Sequence, residues 1–336
     1  MITISYVIPT YNNLTLLKRC LSSILPQLEN GDKIIIVDDG SEDGTFEFVK
    51  DNYKKDNIVI VQQKNAGSGA ARNRGIAMSD TKFIWFIDSD DYILESSSNK
   101  AKNILKKEGY DLLFFDYVIK ENNDEIVRKI NLNPKIKTEL LLTIHYPWNK
   151  IINKQLFESV EFPKDRINYE DHGTIPIIIS RAQHIGYEND TYYYYDYNHP
   201  NNISKQKEKN DDMYLAFANL IRYYNKGFLK NEDMDLLFIQ TFIFTQLFNT
   251  PSYKFKDVYL NSSKVKHYLS DAFPGWKQSP YINFNFADQH RHVINNLKIK
   301  VGVGILFKYN IFGSSVLIYA LRLYKNVSKK MGLILH

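Results

Sequence analysis

Three carboxylates crowd the segment FIWFIDSDDY, residues 83–92: Asp88, Asp90 and Asp91 follow directly on a run of aromatic and β-branched residues. Carboxylates packed this closely repel one another and raise each other's pKa. A divalent cation relieves the repulsion, and Mg2+ or Mn2+ takes oxygen ligands while keeping substrate phosphates in its shell. A metal held by such a pair beside a phosphate would neutralise the charge that develops as a nucleoside diphosphate departs. Alone, D-x-D is a weak signal, because helix caps and solvated turns produce it by chance. Here it has company: VIPTYNN (7–13), IIIVDDGSEDGT (34–45), NAGSGAARNRG (65–75) and YEDH (169–172) occur with it in a fixed order.

The elements around these stretches decide whether they can meet. Residues 2–8 (ITISYVI) read as a strand ended by Pro9, and 33–40 (KIIIVDDG) as a buried strand stopped by a turn. Residues 57–63, 82–88 and 111–119 are further apolar strands. Between them, Leu14, Leu17, Cys20, Leu21, Ile24, Leu25 and Leu28 repeat at helical spacing, SEDGTFEFVKDNY starts a helix with Ser41 or Asp43 as its cap, and GSGAARNRGIAMS and 97–108 are also helical. Strands apolar on both faces and alternating with helices predict a mostly parallel sheet flanked by helices. Ligands of such sheets bind beyond the carboxyl ends of the strands, where all four polar stretches of the first 100 residues would gather. After about residue 130 the reading changes. YPWNKIINKQLF is expected as a loop, NYEDHGTIPIIIS as a helix, and TYYYYDY as a strand whose tyrosines alternate between core and surface. MYLAFANLIRYY and DLLFIQTFIFTQLF are expected as helices.

At this point the sequence resembles the inverting family 2 glycosyltransferases, whose fold is GT-A. The resemblance covers roughly residues 1–200 and implies a catalytic domain over 1–205, with a nucleotide-binding half to about 120 and an acceptor half over 121–205. Residues 206–336 would then be a helical C-terminal region. By that resemblance, Pro9, Thr10 and Tyr11 border the nucleotide base, and one of Asp38 and Asp39 reads the uracil ring. Arg72 and Asn73, with Arg74, match the segment in which a basic residue meets the nucleotide or diphosphate; an Arg fork suits an oxyanion. Asp88 and Asp90 match the pair for ribose and for Mn2+ or Mg2+, with Asp91 as an alternative ligand and His172 as a further contact to the metal or diphosphate. Glu170 and Asp171 match the catalytic pair, Asp171 being the expected general base. Trp148, Asn149 and Lys150 resemble an acceptor-side stretch in capsule-building members, with Trp148 either a sugar platform or core packing. His199 and Ser204 follow the tyrosine strand as site-bordering residues do in related enzymes.

Composition narrows the field. The 336 residues are 44% hydrophobic and 14% aromatic, enough for a sizeable core. One cysteine, Cys20, allows no internal disulfide and suits a core role. The N-terminus lacks the pattern of a secretory signal, and no apolar run is long enough for a membrane span. The net charge of +5 is uneven: Gln289–His336 contains eight Lys/Arg and no Asp/Glu, leaving +5 − 8 = −3 on the rest. This argues against a general nucleic-acid surface. In SSVLIYALRLYKNVSKKM, helical spacing puts Arg322, Lys325 and Lys329 on one side. The other side carries Val316, Leu317, Ala320, Leu321, Tyr324, Val327 and Met331, the pattern of a helix lying in a membrane interface.

The expectation is a cytoplasmic enzyme docked peripherally on the inner leaflet of the plasma membrane, able to form homo-oligomers. It would transfer sugar from a UDP-sugar to a glycan or lipid-linked acceptor of capsule, lipopolysaccharide or teichoic type. GSGAARNRG is no dinucleotide loop, for Arg72 stands where a glycine belongs, and there is no Walker A, H-E-x-x-H or zinc motif. A nucleotidyltransferase and a catalytically silent sugar-nucleotide-binding protein stay open as alternatives.

Overall fold

The computed structural model describes residues 1–121, 124–130, 132–143, 145–198, 211–248, 254–290, 292–294 and 296–330, with side chains of the last helix as far as Lys325. Met1–Lys137, Ile144–Gln206 and Asp211–Phe228 form one compact unit; Thr138–Thr143, Lys207–Asn210 and Leu229–His336 form a second.

The first unit is built on strands β1 (Ile4–Thr10), β2 (Lys33–Asp38), β3 (Ile58–Gln62) and β4 (Phe83–Phe86), joined through helices α1 (Leu14–Ile24), α2 (Thr45–Asn52) and α3 (Ser68–Met78). They are followed by β5 (Tyr92–Ile93), α4 (Ser97–Glu108), β6 (Leu112–Glu121) and the hairpin strand β7 (Asp124–Arg128). Helix α5 (Lys137–Leu142), all but its first residue belonging to the second unit, precedes β8 (Lys150–Asn153), α6 (Ile175–Arg181), β9 (Ile185–Tyr195) and α7 (Asp212–Tyr224) of the first. The sheet runs β3-β2-β1-β4-β8-β6-β9-β5, with β7 paired to β6. Its first four strands are parallel, as expected, and so are β6 and β9. The register sets Thr10 opposite Asp38 and Val7 opposite Phe86, so β1, β2 and β4 all open onto one edge.

Two expectations need correcting. KIIN, read as part of a loop, is the short strand β8, antiparallel to both β4 and β6 in the middle of the sheet. The four tyrosines 192–195 do not alternate; all are buried, because β9 is covered on both faces. The one expected role for Cys20 stands: its side chain is fully enclosed in the core between α1 and the sheet.

Helix α3 explains its own small residues. A Cβ on Gly75 would lie 2.3 Å from Val7 Cγ1, and one on Gly69 would lie 2.6 Å from the Pro163 carbonyl oxygen. The helix therefore lies flat on β1 on one side and against the 162–170 segment on the other.

The second unit contains α8 (Asn231–Phe238), continued by a π-helical segment Ile239–Thr245, then α9 (Phe255–Ala272), α10 (Phe284–His290), α11 (Leu297–Tyr309) and α12 (Ile311–Lys330). The expected helix over 235–248 is thus interrupted by a widened turn. Phe238 stacks on Phe273 at 4.7 Å, and Trp276 packs on Phe307 at 5.5 Å within its core. No helix among the described residues is long and apolar enough to cross a membrane.

Candidate active site at the carboxyl edge of the sheet

The aspartates after β4 divide into two kinds. Asp91 is fully buried; its Oδ2 accepts the Tyr193 hydroxyl at 2.8 Å and its Oδ1 accepts the Asp196 backbone N–H at 2.9 Å. Tyr193 Oη in turn accepts the Asp88 backbone N–H at 3.1 Å. Asp91 therefore serves as the anchor of the turn and is not turned outward as a metal ligand, which corrects that alternative. Asp88 and Asp90 remain half-buried at the edge. Burial pushes the Asp90 carboxyl up to about 6, and the negative charge of Asp88 adds to the rise. Arg19, from α1, braces the turn by bonding Asp196 at 2.8 Å and the Asp90 carbonyl.

The second acidic pair lies in a loop before α6. Tyr169 takes a left-handed backbone (φ 63°), a costly conformation for a bulky residue, and the surrounding contacts fix it. Asn168 is held by Asp212 at 2.9 Å, and Asn219 donates to the Gly173 carbonyl at 2.9 Å, both from α7. From the other side, Ser68 Oγ donates to Glu170 Oε1 at 2.7 Å. Arg72 joins the two clusters. Its Nη1 binds Glu170 and its Nη2 binds Asp88 at 2.9 Å, while its Nε is buried with no partner among the described residues. Burial works against the charged guanidinium, but the two carboxylates outweigh it and raise its basicity.

Asp171, next to Glu170, accepts the His172 backbone N–H at 2.8 Å. Burial raises its carboxyl above the usual range; His172 opposes this, and Glu170 adds to it. His172 Nδ1 stands 3.2 Å from His145 Nδ1, so that nitrogen faces a second imidazole.

The nucleotide-side residues lie along the same edge. Thr10 is buried and its Oγ1 finds no partner among the described residues, whereas Tyr11 is exposed and Pro9 half-buried. Asp38 ties its own turn through Ser41 and accepts Gln62 Nε2 at 2.8 Å. Asp39 accepts Gln63 Nε2, Ala66 N and Gly67 N within 2.9 Å, and so shapes the entry to α3. Asp43 caps two helices, accepting Thr45 N at the start of α2 and Leu14 N at the start of α1.

Four expected contact residues point elsewhere. Asn73 exchanges both ends of its amide with the Phe162 backbone, at 2.9 and 2.8 Å, so it fastens α3 to the loop and does not face a nucleotide. Trp148 is core: Tyr146 and Tyr193 stack on its two faces at 4.7 and 4.5 Å, leaving no face for a sugar. Asn149 and Lys150 are buried with it, and Lys150 Nζ binds Asn149 Oδ1 and the Tyr146 carbonyl. Burial pushes the Lys150 ammonium down to about 7, against the opposing charge of Asp171. His199 and Ser204 lie outside the described residues. Conversely, Tyr193, Arg19, Ser68, Asn168 and Asn219 were not singled out in the sequence. No local signal marks them, since each acts on a partner at least 44 residues away.

A parallel sheet whose carboxyl edge gathers these acidic turns, followed by helices, defines the GT-A class. Residues 5–164, a little under half of the chain, match the family described as Glycosyl transferase family 2. The chain is 31% identical over 175 residues to EpsH of Bacillus subtilis, covering 48% of this chain and 50% of EpsH. It is 27% identical over 228 residues to the processive diacylglycerol beta-glycosyltransferase of Mycoplasma pneumoniae, covering 61% of this chain and 66% of that one. The chain thus spans about half the length of EpsH. Its fold is similar to the crystal structure of S. aureus TarS 1-349 in complex with UDP-GlcNAc, with a TM-score of 0.64 at 18% identity over 100% of this chain and 93% of that one.

Proposed function

We propose that this chain is a metal-dependent inverting glycosyltransferase that moves a sugar from a UDP-sugar to a hydroxyl of a bacterial surface glycan carried on a lipid. One observation carries the reading: Arg72 draws the strand-end pair Asp88–Asp90 and the loop pair Glu170–Asp171 into one cluster at the sheet edge. The family match and the fold likeness to a UDP-GlcNAc-bound enzyme support a sugar-nucleotide donor.

In this reading Pro9, Thr10 and Tyr11 border the nucleoside, one of Asp38 and Asp39 reads the uracil ring, and the unpartnered Thr10 hydroxyl is free to donate or accept there. The donor set at Asp88 and Asp90 fits Mn2+ or Mg2+. It offers hard oxygens, and the Asp90 carboxyl is raised first by burial and then by the Asp88 charge, a repulsion that a cation would relieve. Among the described residues no three His, Cys, Asp or Glu side chains converge on one point, so further ligands would come from elsewhere, such as the diphosphate. When bound, the ion would offset the negative charge gathering on the departing diphosphate. Asp171 removes the proton from the acceptor hydroxyl as that oxygen bonds to the anomeric carbon. The bond from that carbon to the phosphate oxygen breaks with its electron pair leaving on UDP, and the configuration inverts. The raised Asp171 carboxyl makes it a stronger base than an ordinary aspartate.

The lipid-borne acceptor and the inner-leaflet location draw support from helix α12. Its enclosed side carries Ser314, Ser315 and Ile318, while Phe312, Val316, Leu317, Leu323 and Tyr324 are exposed. Arg322 lies on the half-buried side, and Lys325 is exposed beside the apolar stripe. Val327, Lys329 and Met331 lie outside the described side chains. An outward apolar face within an acid-free, basic stretch suits anionic lipid. The name of the Mycoplasma relative points to a lipid acceptor for that protein.

The decisive experiment screens UDP-sugars for Mn2+-dependent UDP release with a lipid-linked acceptor. Release that disappears in Asp171→Asn is expected. Pyrophosphate release from a nucleoside triphosphate would replace this reading with a nucleotidyltransferase. Phe312→Ser/Tyr324→Ser should lose binding to phosphatidylglycerol vesicles, and retained binding would remove the membrane assignment.

A further inference from the structure

We propose that Arg72 is a positioning residue that struts the base loop against the donor side of the site, and that it does not grip the diphosphate. The inference rests on the glycosyltransferase reading above. The guanidinium side chain is only 6% exposed, and its two terminal nitrogens go to different carboxylates, Glu170 at 12% and Asp88 at 28% exposure. To reach a phosphate it would have to abandon two carboxylates, one of them nearly enclosed, and uncompensated buried charge is costly. Its Nε has no partner among the described residues, so the two carboxylates set the plane of the fork over the Phe162 ring, 5.7 Å away. A rigid fork spanning two anions fixes their separation, which a lysine's point charge cannot do.

The rest of α3 grips the same loop. Ser68 bonds Glu170, Asn73 clasps Phe162, and Gly69 lets the helix approach Pro163. Glu170 is the neighbour of the base Asp171 and follows the left-handed Tyr169, so its tether sets where the base stands. Arg72 thereby links Asp88, on the donor side, to the loop that must meet the acceptor hydroxyl.

The test compares Arg72→Met, Arg72→Lys, Glu170→Ala and the double variant R72M/E170A. A strut predicts that kcat falls by about 100-fold in R72M, the size expected of an ångström-scale misplacement. The calorimetric Kd for UDP with Mn2+ should stay within about threefold, and E170A should give the same split with the double variant no worse than the worse single one. Arg72→Lys should recover little. Amide exchange over 168–174 should quicken in R72M even without substrate. A merely structural role would lower the unfolding temperature without separating kcat from KM and Kd. The proposal is overturned if R72M raises the UDP–Mn2+ Kd by about tenfold or more while E170A leaves it unchanged, since the guanidinium would then be a diphosphate contact. Unchanged exchange over 168–174 in R72M overturns it too. If the native protein releases no UDP from any sugar nucleotide, the functional reading fails, and the exchange measurement still decides the strut.

Discussion

The turn after β4 and the loop before α6 each carry adjacent carboxylates, and each anchors one while leaving another poised. The anchors differ in charge. Asp91 is held by a tyrosine hydroxyl and a backbone amide, both neutral, and within the same turn Arg72 pairs with Asp88. Glu170 is held by the Arg72 guanidinium, which it shares with Asp88, so the carboxylate flanking Asp171 is partly offset by a cation. In the proposed reading the first arrangement would hold a cation; the second leaves a carboxylate whose proton affinity is raised mainly by burial. Similar residues with different tethers thus support different chemistry.

Four measurements can break or sharpen this contrast. The largest effect is expected from Asp171→Asn, which should lower kcat by about 10²–10⁴-fold while leaving UDP–Mn2+ binding intact. Asp91→Asn should leave turnover within a few-fold of native, by the same assay; equal losses would erase the distinction between poised and anchored groups. Next comes Tyr193→Phe, which strips a hydroxyl from buried Asp91 and from the Asp88 amide. It should cost about 1–3 kcal/mol in urea unfolding and weaken Mn2+ binding with it. Third is pH. Because the Asp90 carboxyl is raised to about 6, protons compete with the cation below that value and not above it. Mn2+ affinity followed by electron paramagnetic resonance should be flat from pH 8 to 7 and fall about tenfold per unit below 6. A flat response down to pH 5 would remove Asp90 as a ligand. The smallest catalytic effect belongs to Trp148→Phe, which should lower the unfolding midpoint yet leave the acceptor KM unchanged.

Much of the donor half was legible because its signals are local. KIIIVD is apolar at nearly every position because the strand is covered on both faces, and the acidic stretches sit where such strands must end. Asp88, Asp90, Glu170 and Asp171 could be picked out as short patterns. What escaped was long-range. Strand β8 is four residues starting with a lysine, and its burial makes sense only once the Asn149 amide and Tyr146 carbonyl collect around Nζ. Trp148 looked like a platform because an isolated indole gives no hint that Tyr146 and Tyr193 will enclose it. Arg72 carries an anion-binding side chain in a glycine-rich stretch, and nothing nearby reveals that its anion is Glu170, 98 residues later. The tyrosine run misled for the same reason: whether β9 has a wet face depends on β5, β6 and what covers them.

The reversed strand β8 has an architectural consequence. By running against both neighbours it lets β4 and β6 point the same way while lying two strand spacings apart, roughly 10 Å. It also closes the hydrogen-bonding edge of β4 with residues drawn from far along the chain. A recombinant fragment stopping before residue 150 would present that edge bare, with Phe83, Ile84 and Trp85 along it, an invitation to intermolecular pairing. The half before β8 is therefore no autonomous module that could be excised and grafted; its solubility depends on a seam supplied by the other half.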